Sequence, residues 1–131
     1  MEFILKNKKL FAFAFWVWVI IILYFSLTPY SPKMSIDIDK QTYRLDYFLH
    51  FMVYFSLAIL YLLWKANNYF KVKPVLIIYF LFAALFLSGL IEYIQTFIPG
   101  RSFNPNDFYS NASGIIIGII TPKLIIKKNP A

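Results

Sequence analysis

The chain has 131 residues, of which 60% are hydrophobic, 21% aromatic and only 15% charged, with a formal net charge of +7 and no cysteine. That length predicts one domain, and the composition is too oily for a soluble domain, which needs a charged shell. Without cysteine there is no disulfide, thiolate metal site, thiol chemistry or cysteine-linked lipid.

Lys6, Lys8 and Lys9 open the chain, and 23 residues without a formal charge separate Lys9 from Lys33. A helix needs roughly 20 mostly apolar residues to cross a bilayer. A secretory signal also begins with basic residues, but the core here, Phe11 to Phe25, is long and aromatic, and no A-x-A-like site follows. The prediction is an uncleaved first span over 10–27, ended by Thr28-Pro29 because the residue before proline is pushed out of the α region. Asp37, Asp39 and Lys40 then predict a solvated loop.

Eighteen uncharged residues between Asp46 and Lys65 predict a second span over 47–64. Pro74 suits a first helical turn and opens a third, over 74–98, stopped by Pro99-Gly100. Asn104-Pro105-Asn106-Asp107 supplies a cap, a first-turn proline and an acid that favours the helix dipole. It predicts a fourth span over 105–121, which Pro122 ends or kinks. Asp107 and Lys123 leave that span only 15 uncharged residues, so its ends must snorkel. The fold class is all-α, a bundle of four transmembrane helices.

Four spans place both termini on one side. Nine basic residues then share that side with the termini, while Lys33, Lys40, Arg44 and Arg101 lie opposite. By the positive-inside rule both termini are cytoplasmic. All acids except Glu2 face outward. The lysines flank spans instead of forming one patch, which argues against nucleic acid as a partner.

Charges beside long apolar spans are unfavourable unless paired, hydrated or used. Asp46, His50 and Tyr54 are spaced by four and share one face of the second helix. Glu92 and Gln95 share a face of the third. Asp107, Asn111, Gly114 and Gly118 form a stripe on the fourth. If these stripes converge, they make with Arg101 one polar site at the outer mouth. Such a site can hold a divalent cation, grip an anion through Arg101, or perform acid–base chemistry. No other cofactor is predicted.

Each element also has a plain structural reading. Asp46 can cap a helix, His50 can bond a neighbouring side chain, and Glu92 can pair with Arg101. Asn111 can be interhelical glue, and Gly114-x-x-x-Gly118 a close-packing face. Trp16, Trp18 and Trp64 read as lipid-facing bulk and interfacial anchors. There is no H-E-x-x-H, no G-x-S-x-G and no glycine-rich phosphate loop. The balance leans away from an enzyme.

The ordered set Ser26-Leu27-Thr28-Pro29, Asp46, His50-Phe51, Tyr54, Glu92, Gln95, Pro99-Gly100-Arg101-Ser102, Asp107, Asn111, Gly114 and Gly118 resembles the VanZ-like family of small bacterial membrane proteins. The resemblance covers about residues 20 to 120. Tyr47 stands where members often carry lysine. The founding member is linked to low-level teicoplanin resistance, so the resemblance implies a bacterial plasma-membrane protein acting at the cell envelope. It brings no catalytic residue with it.

The expected function is an outward-facing polar site engaging an envelope component. Candidate partners are a membrane phospholipid headgroup, a lipid-linked wall precursor or a lipoglycopeptide, and the chain can form a homo-oligomer. One rival is a membrane-embedded hydrolase or transferase using Glu92 or Asp107 as base and His50 as acid. Another is a small dimeric transporter, which would place a carboxylate near mid-bilayer.

Overall fold

The computed structural model describes residues 2–29, 35–38, 41–67 and 71–128. A short helix α1 (Glu2–Lys6) leads into α2 (Lys8–Leu27), a hairpin of β1 (Ser35–Ile38) and β2 (Gln41–Arg44), then α3 (Asp46–Lys65), α4 (Pro74–Gln95) and α5 (Pro105–Lys128). Of these, α2, α3 and α4 are long and apolar enough to cross a membrane.

Helix α3 packs on α2 and α5, and α4 packs on α5 and α2, which closes the four long helices into a ring. The tightest seam joins α3 to α5. A Cβ on Gly114 would clash with the Phe51 carbonyl oxygen, and one on Gly118 would lie 2.7 Å from Ala58 Cβ. Only glycine lets the two backbones approach so closely. Ile115 and Ile119 fill the same seam. At the lysine-rich end, Tyr61 stacks on Phe80 at 4.2 Å with Phe15 and Trp64 beside them. The Tyr61 hydroxyl donates to the Leu76 carbonyl (2.9 Å), closing the α3–α4 connection.

Helices α3 and α5 start at one end of the bundle, where α2 and α4 finish. This end brings two positive helix N-termini beside two negative C-termini, and it carries the polar residues.

Three expectations need correction. The third helix ends at Gln95 and not at Ile98. Thr96, Phe97 and Ile98 bond back to Tyr93, Ile94 and Gln95, three residues earlier, the tight turns typical of a helix end meeting a proline. The fourth helix runs through Pro122 to Lys128; proline removes one backbone bond there without ending the helix. The stretch around Asp37 is a hairpin, with Ile36 opposite Tyr43 and Asp37 opposite Thr42. Asp37 is exposed, while Lys33, Asp39 and Lys40 lie outside the described residues.

Candidate functional site

The polar end is built from the starts of α3 and α5, the end of α4 and the turn after it. Asn111 on α5 is 1% exposed. Its amide nitrogen donates to Ser88 Oγ on α4 (3.0 Å), and its Oδ1 lies 3.0 Å from His50 Nδ1 on α3. With the amide nitrogen committed to Ser88, Oδ1 must accept, so His50 donates from Nδ1. His50 Nε2 then faces Asp107 Oδ2 at 3.9 Å. Asn111 thus ties three helices together, and the imidazole is held in one orientation between an amide and a carboxylate.

Asp46 forms an ion pair with Arg44, which donates from Nε (3.1 Å) and Nη2. Arg44 Nη1 also donates to the Tyr47 hydroxyl (2.7 Å), and its guanidinium lies 4.4 Å from the Tyr47 ring centroid. The hairpin therefore supplies a cation beside Asp46 although position 47 is Tyr. The N-cap position of α3 is Leu45, which has no capping side chain, and Asp46 follows it in the first turn. The Asp46 carboxylate holds the Arg44 guanidinium above its ordinary pKa.

Arg101 does not pair with Glu92. Its Nε donates to the Thr28 carbonyl (3.1 Å) and its Nη2 to the Phe25 carbonyl (2.7 Å), so it caps the end of α2. A cation suits those unsatisfied carbonyls and the negative end of the dipole. Three of the five guanidinium hydrogens remain uncommitted by these two bonds. Burial pulls the Arg101 guanidinium below its ordinary pKa, while the negative charges of Glu92 and Asp107 work in the opposite direction. Gln95 adds a further tie, donating to the Ser26 carbonyl (2.9 Å).

Glu92 is 0% exposed, and neither carboxylate oxygen has a hydrogen-bond partner among the described residues. The Asn104 backbone lies near enough to act on it electrostatically but out of hydrogen-bond geometry. The Tyr54 hydroxyl and Asp107 Oδ1 are likewise buried without partners; Ser88 acts on Tyr54 without reaching bonding geometry.

A cleft of about 220 Å³ lies between α2 and α3, with Tyr54 in its lining and Glu92 and Asp107 outside it. Asp46, His50, Tyr54, Gln95 and Arg101 line its polar end, and Trp18, Ile21, Phe25 and Val53 its apolar walls. Trp18 donates from its indole nitrogen to the Val53 carbonyl (3.0 Å), so it is a strut between α2 and α3 as well as a wall. No set of three or more His, Asp or Glu side chains among the described residues is placed to hold a metal ion, which leaves a divalent cation without a ligand set here.

Arg44 and Ser88 escaped the reading of the sequence as site residues, and Trp18, read there as lipid-facing bulk, is instead a strut and a wall of the cleft. Ser88 could have been found, since it lies one turn before Glu92 on the same helix face. Arg44 and Trp18 carry no comparable signal, because their partners are set by the hairpin and by the α2–α3 crossing.

A model of the VanZ/LLP1 family matches residues 10–126. No curated protein and no solved structure matches the chain.

Proposed function

The chain belongs to the VanZ/LLP1 family, and from that premise we propose a bacterial plasma-membrane protein whose polar cleft faces outward and engages an anionic group of a cell-envelope component. The carrying observation is the cleft itself, which joins apolar walls at Trp18 and Phe25 to a polar end at His50, Gln95 and Arg101. Arg101 is the anion contact, since a guanidinium with free donors pairs well with phosphate or carboxylate. In this reading α5 is the fourth span: it lies against α3 along Gly114 and Gly118, and a neighbour that close shares the same bilayer depth. Both termini are cytoplasmic, as the distribution of lysines favours.

Engagement of an envelope component would also give a contribution to low-level teicoplanin and lipoglycopeptide resistance. The test expresses the wild type, Glu92→Ala and Arg101→Ala in a teicoplanin-susceptible bacterium. The expected result is reduced sensitivity with wild type only. Equal sensitivity in all strains, empty vector included, removes the resistance reading. Lipid that copurifies with wild type and is lost from Arg101→Ala supports the binding reading independently.

The ordered imidazole favours a second reading, a membrane-embedded hydrolase or transferase. His50 is held through Nδ1 by Asn111 and presents Nε2 to Asp107, an arrangement suited to passing a proton. Turnover of a copurified lipid by wild type and not by His50→Gln would establish it. The transporter reading finds no such support: Glu92 lies in the last turn of α4, which ends at Gln95, and not at its middle.

A further inference from the structure

The cleft is a trough with a polar end, a floor and an open side. Its lining runs from Ser26 to Trp18 on α2 and from Asp46 to Tyr54 on α3. Because α3 starts where α2 finishes, both stretches descend from the same polar end. At ~1.5 Å per residue the trough is roughly 12 Å long. The Trp18–Val53 hydrogen bond crosses between the helices at its far end and forms the floor. Ile21, Phe25 and Leu49 line the cleft and are also exposed, so the trough opens sideways, between two spans. An apolar space of that kind does not hold water, and in a bilayer its neighbour is lipid. At the polar end Arg101 forms no ion pair among the described residues. Asp46 is the one carboxylate among the described lining residues, and Arg44 already holds it. The lining therefore offers a seat to a negative group and none to a positive one.

We propose, resting on the anion-binding reading above, that the component engaged is a net-negative phospholipid of the surrounding membrane, which enters sideways between α2 and α3. Its phosphate rests on Arg101, and one acyl chain lies in the trough down to the Trp18–Val53 strut. One leaflet of hydrocarbon is ~15 Å deep, half of the ~30 Å core, so the trough matches most of a single chain's depth. The size of the cleft favours the same class. At about 220 Å³ it is smaller than the ~300–1,000 Å³ of sites that hold drug-sized ligands. It therefore suits a phosphate and part of one chain better than a glycopeptide or a sugar-bearing precursor. A zwitterionic headgroup fits less well, because its ammonium finds no unpaired carboxylate in the lining.

The test places the purified full chain in phosphatidylcholine bilayers and adds phosphatidylglycerol with a photoreactive diazirine at mid-chain. Adducts are then mapped by peptide mass spectrometry. Labelling is expected at 21–25 and 49–53, at least about fivefold above Phe86 and Leu90, which are exposed on α4 at a similar depth. The same diazirine carried on phosphatidylcholine should label the cleft about fivefold less, the scale of one basic residue beside an anionic lipid. Arg101→Ala should remove the difference between the two lipids, with helix content checked by circular dichroism. The wild-type map needs no variant, so it stays decisive even if Arg101→Ala fails to fold. Adducts spread evenly over α2, α3 and α4 overturn the trough. If phosphatidylglycerol is still preferred in that case, and the preference is lost in Arg101→Ala, the anion reading stands without it. Equal labelling of the cleft by the two lipids overturns the choice of a net-negative lipid. If Arg101→Ala then also leaves the labelling unchanged, the anion reading falls with it.

Discussion

At the scale of single residues, Asn111 decides most. It satisfies a buried serine and a half-buried histidine on two other helices with one amide, so replacing it leaves both without this bond. Asn111→Leu keeps the branching and the number of heavy atoms and removes the polar chemistry. Interhelical hydrogen bonds in membranes average about 0.6 kcal/mol, while orphaned buried groups cost about 1–3 kcal/mol. The expected loss is about 1 kcal/mol, read as a lower midpoint of thermal unfolding in detergent. Ser88→Ala should cost less, because Asn111 then keeps its bond to His50. A midpoint unchanged by Asn111→Leu would mean that the bridge contributes nothing. Asn111 was legible in the sequence because it shares a helical stripe with Asp107, Gly114 and Gly118. Its second partner was harder to see, since one serine in a long apolar run carries no pattern of its own. Arg101 was visible as a charge, but its target is a pair of backbone carbonyls, and no side-chain alphabet records which carbonyls a fold leaves open.

At the scale of elements, the α3–α5 seam is governed by two glycines, and the remaining glycine on α4 is a control. Gly114→Ala drives a methyl into the Phe51 carbonyl, backbone that cannot swing aside. It should destabilise the bundle by 1–3 kcal/mol or so, the usual range for overpacking. A Cβ on Gly89 meets only Phe108 Cε2 at 3.6 Å, an ordinary contact. Gly89→Ala should therefore be neutral or stabilising by up to about 1 kcal/mol through helix propensity. Unfolding of the two variants side by side checks the contrast, and similar losses in both would contradict the seam. The long helices could be read from uncharged runs and prolines because a bilayer imposes length and apolarity directly. The β1–β2 hairpin could not be read so simply. Ile36-Asp37-Ile38-Asp39 alternates with the period of a strand, but four residues beside a charged turn look equally like loop. The stop at Gln95 and the passage through Pro122 turn on where backbone bonds close, which composition does not set.

At the scale of the whole molecule, the proposed orientation makes a direct prediction. The native chain has no cysteine, so one introduced thiol reports its own side of the membrane. Ser102→Cys, exposed in the α4–α5 turn, should react with a membrane-impermeant maleimide in intact cells. Lys71→Cys, exposed before α4, should react only after permeabilisation. The reverse pattern would turn the polar cleft toward the cytoplasm and remove the envelope reading. The ring of helices also has a consequence in time. The Arg101 bonds that finish α2 reach back 73 and 76 residues along the chain. At ~5–20 residues per second of synthesis, the first long helix waits roughly 4–15 s with its terminal carbonyls unsatisfied. Through that interval its end needs water, lipid headgroups or the insertion machinery as a temporary partner. The final cap is therefore a checkpoint on assembly, closing only once the third long helix has crossed and the turn beyond it has emerged on the same side.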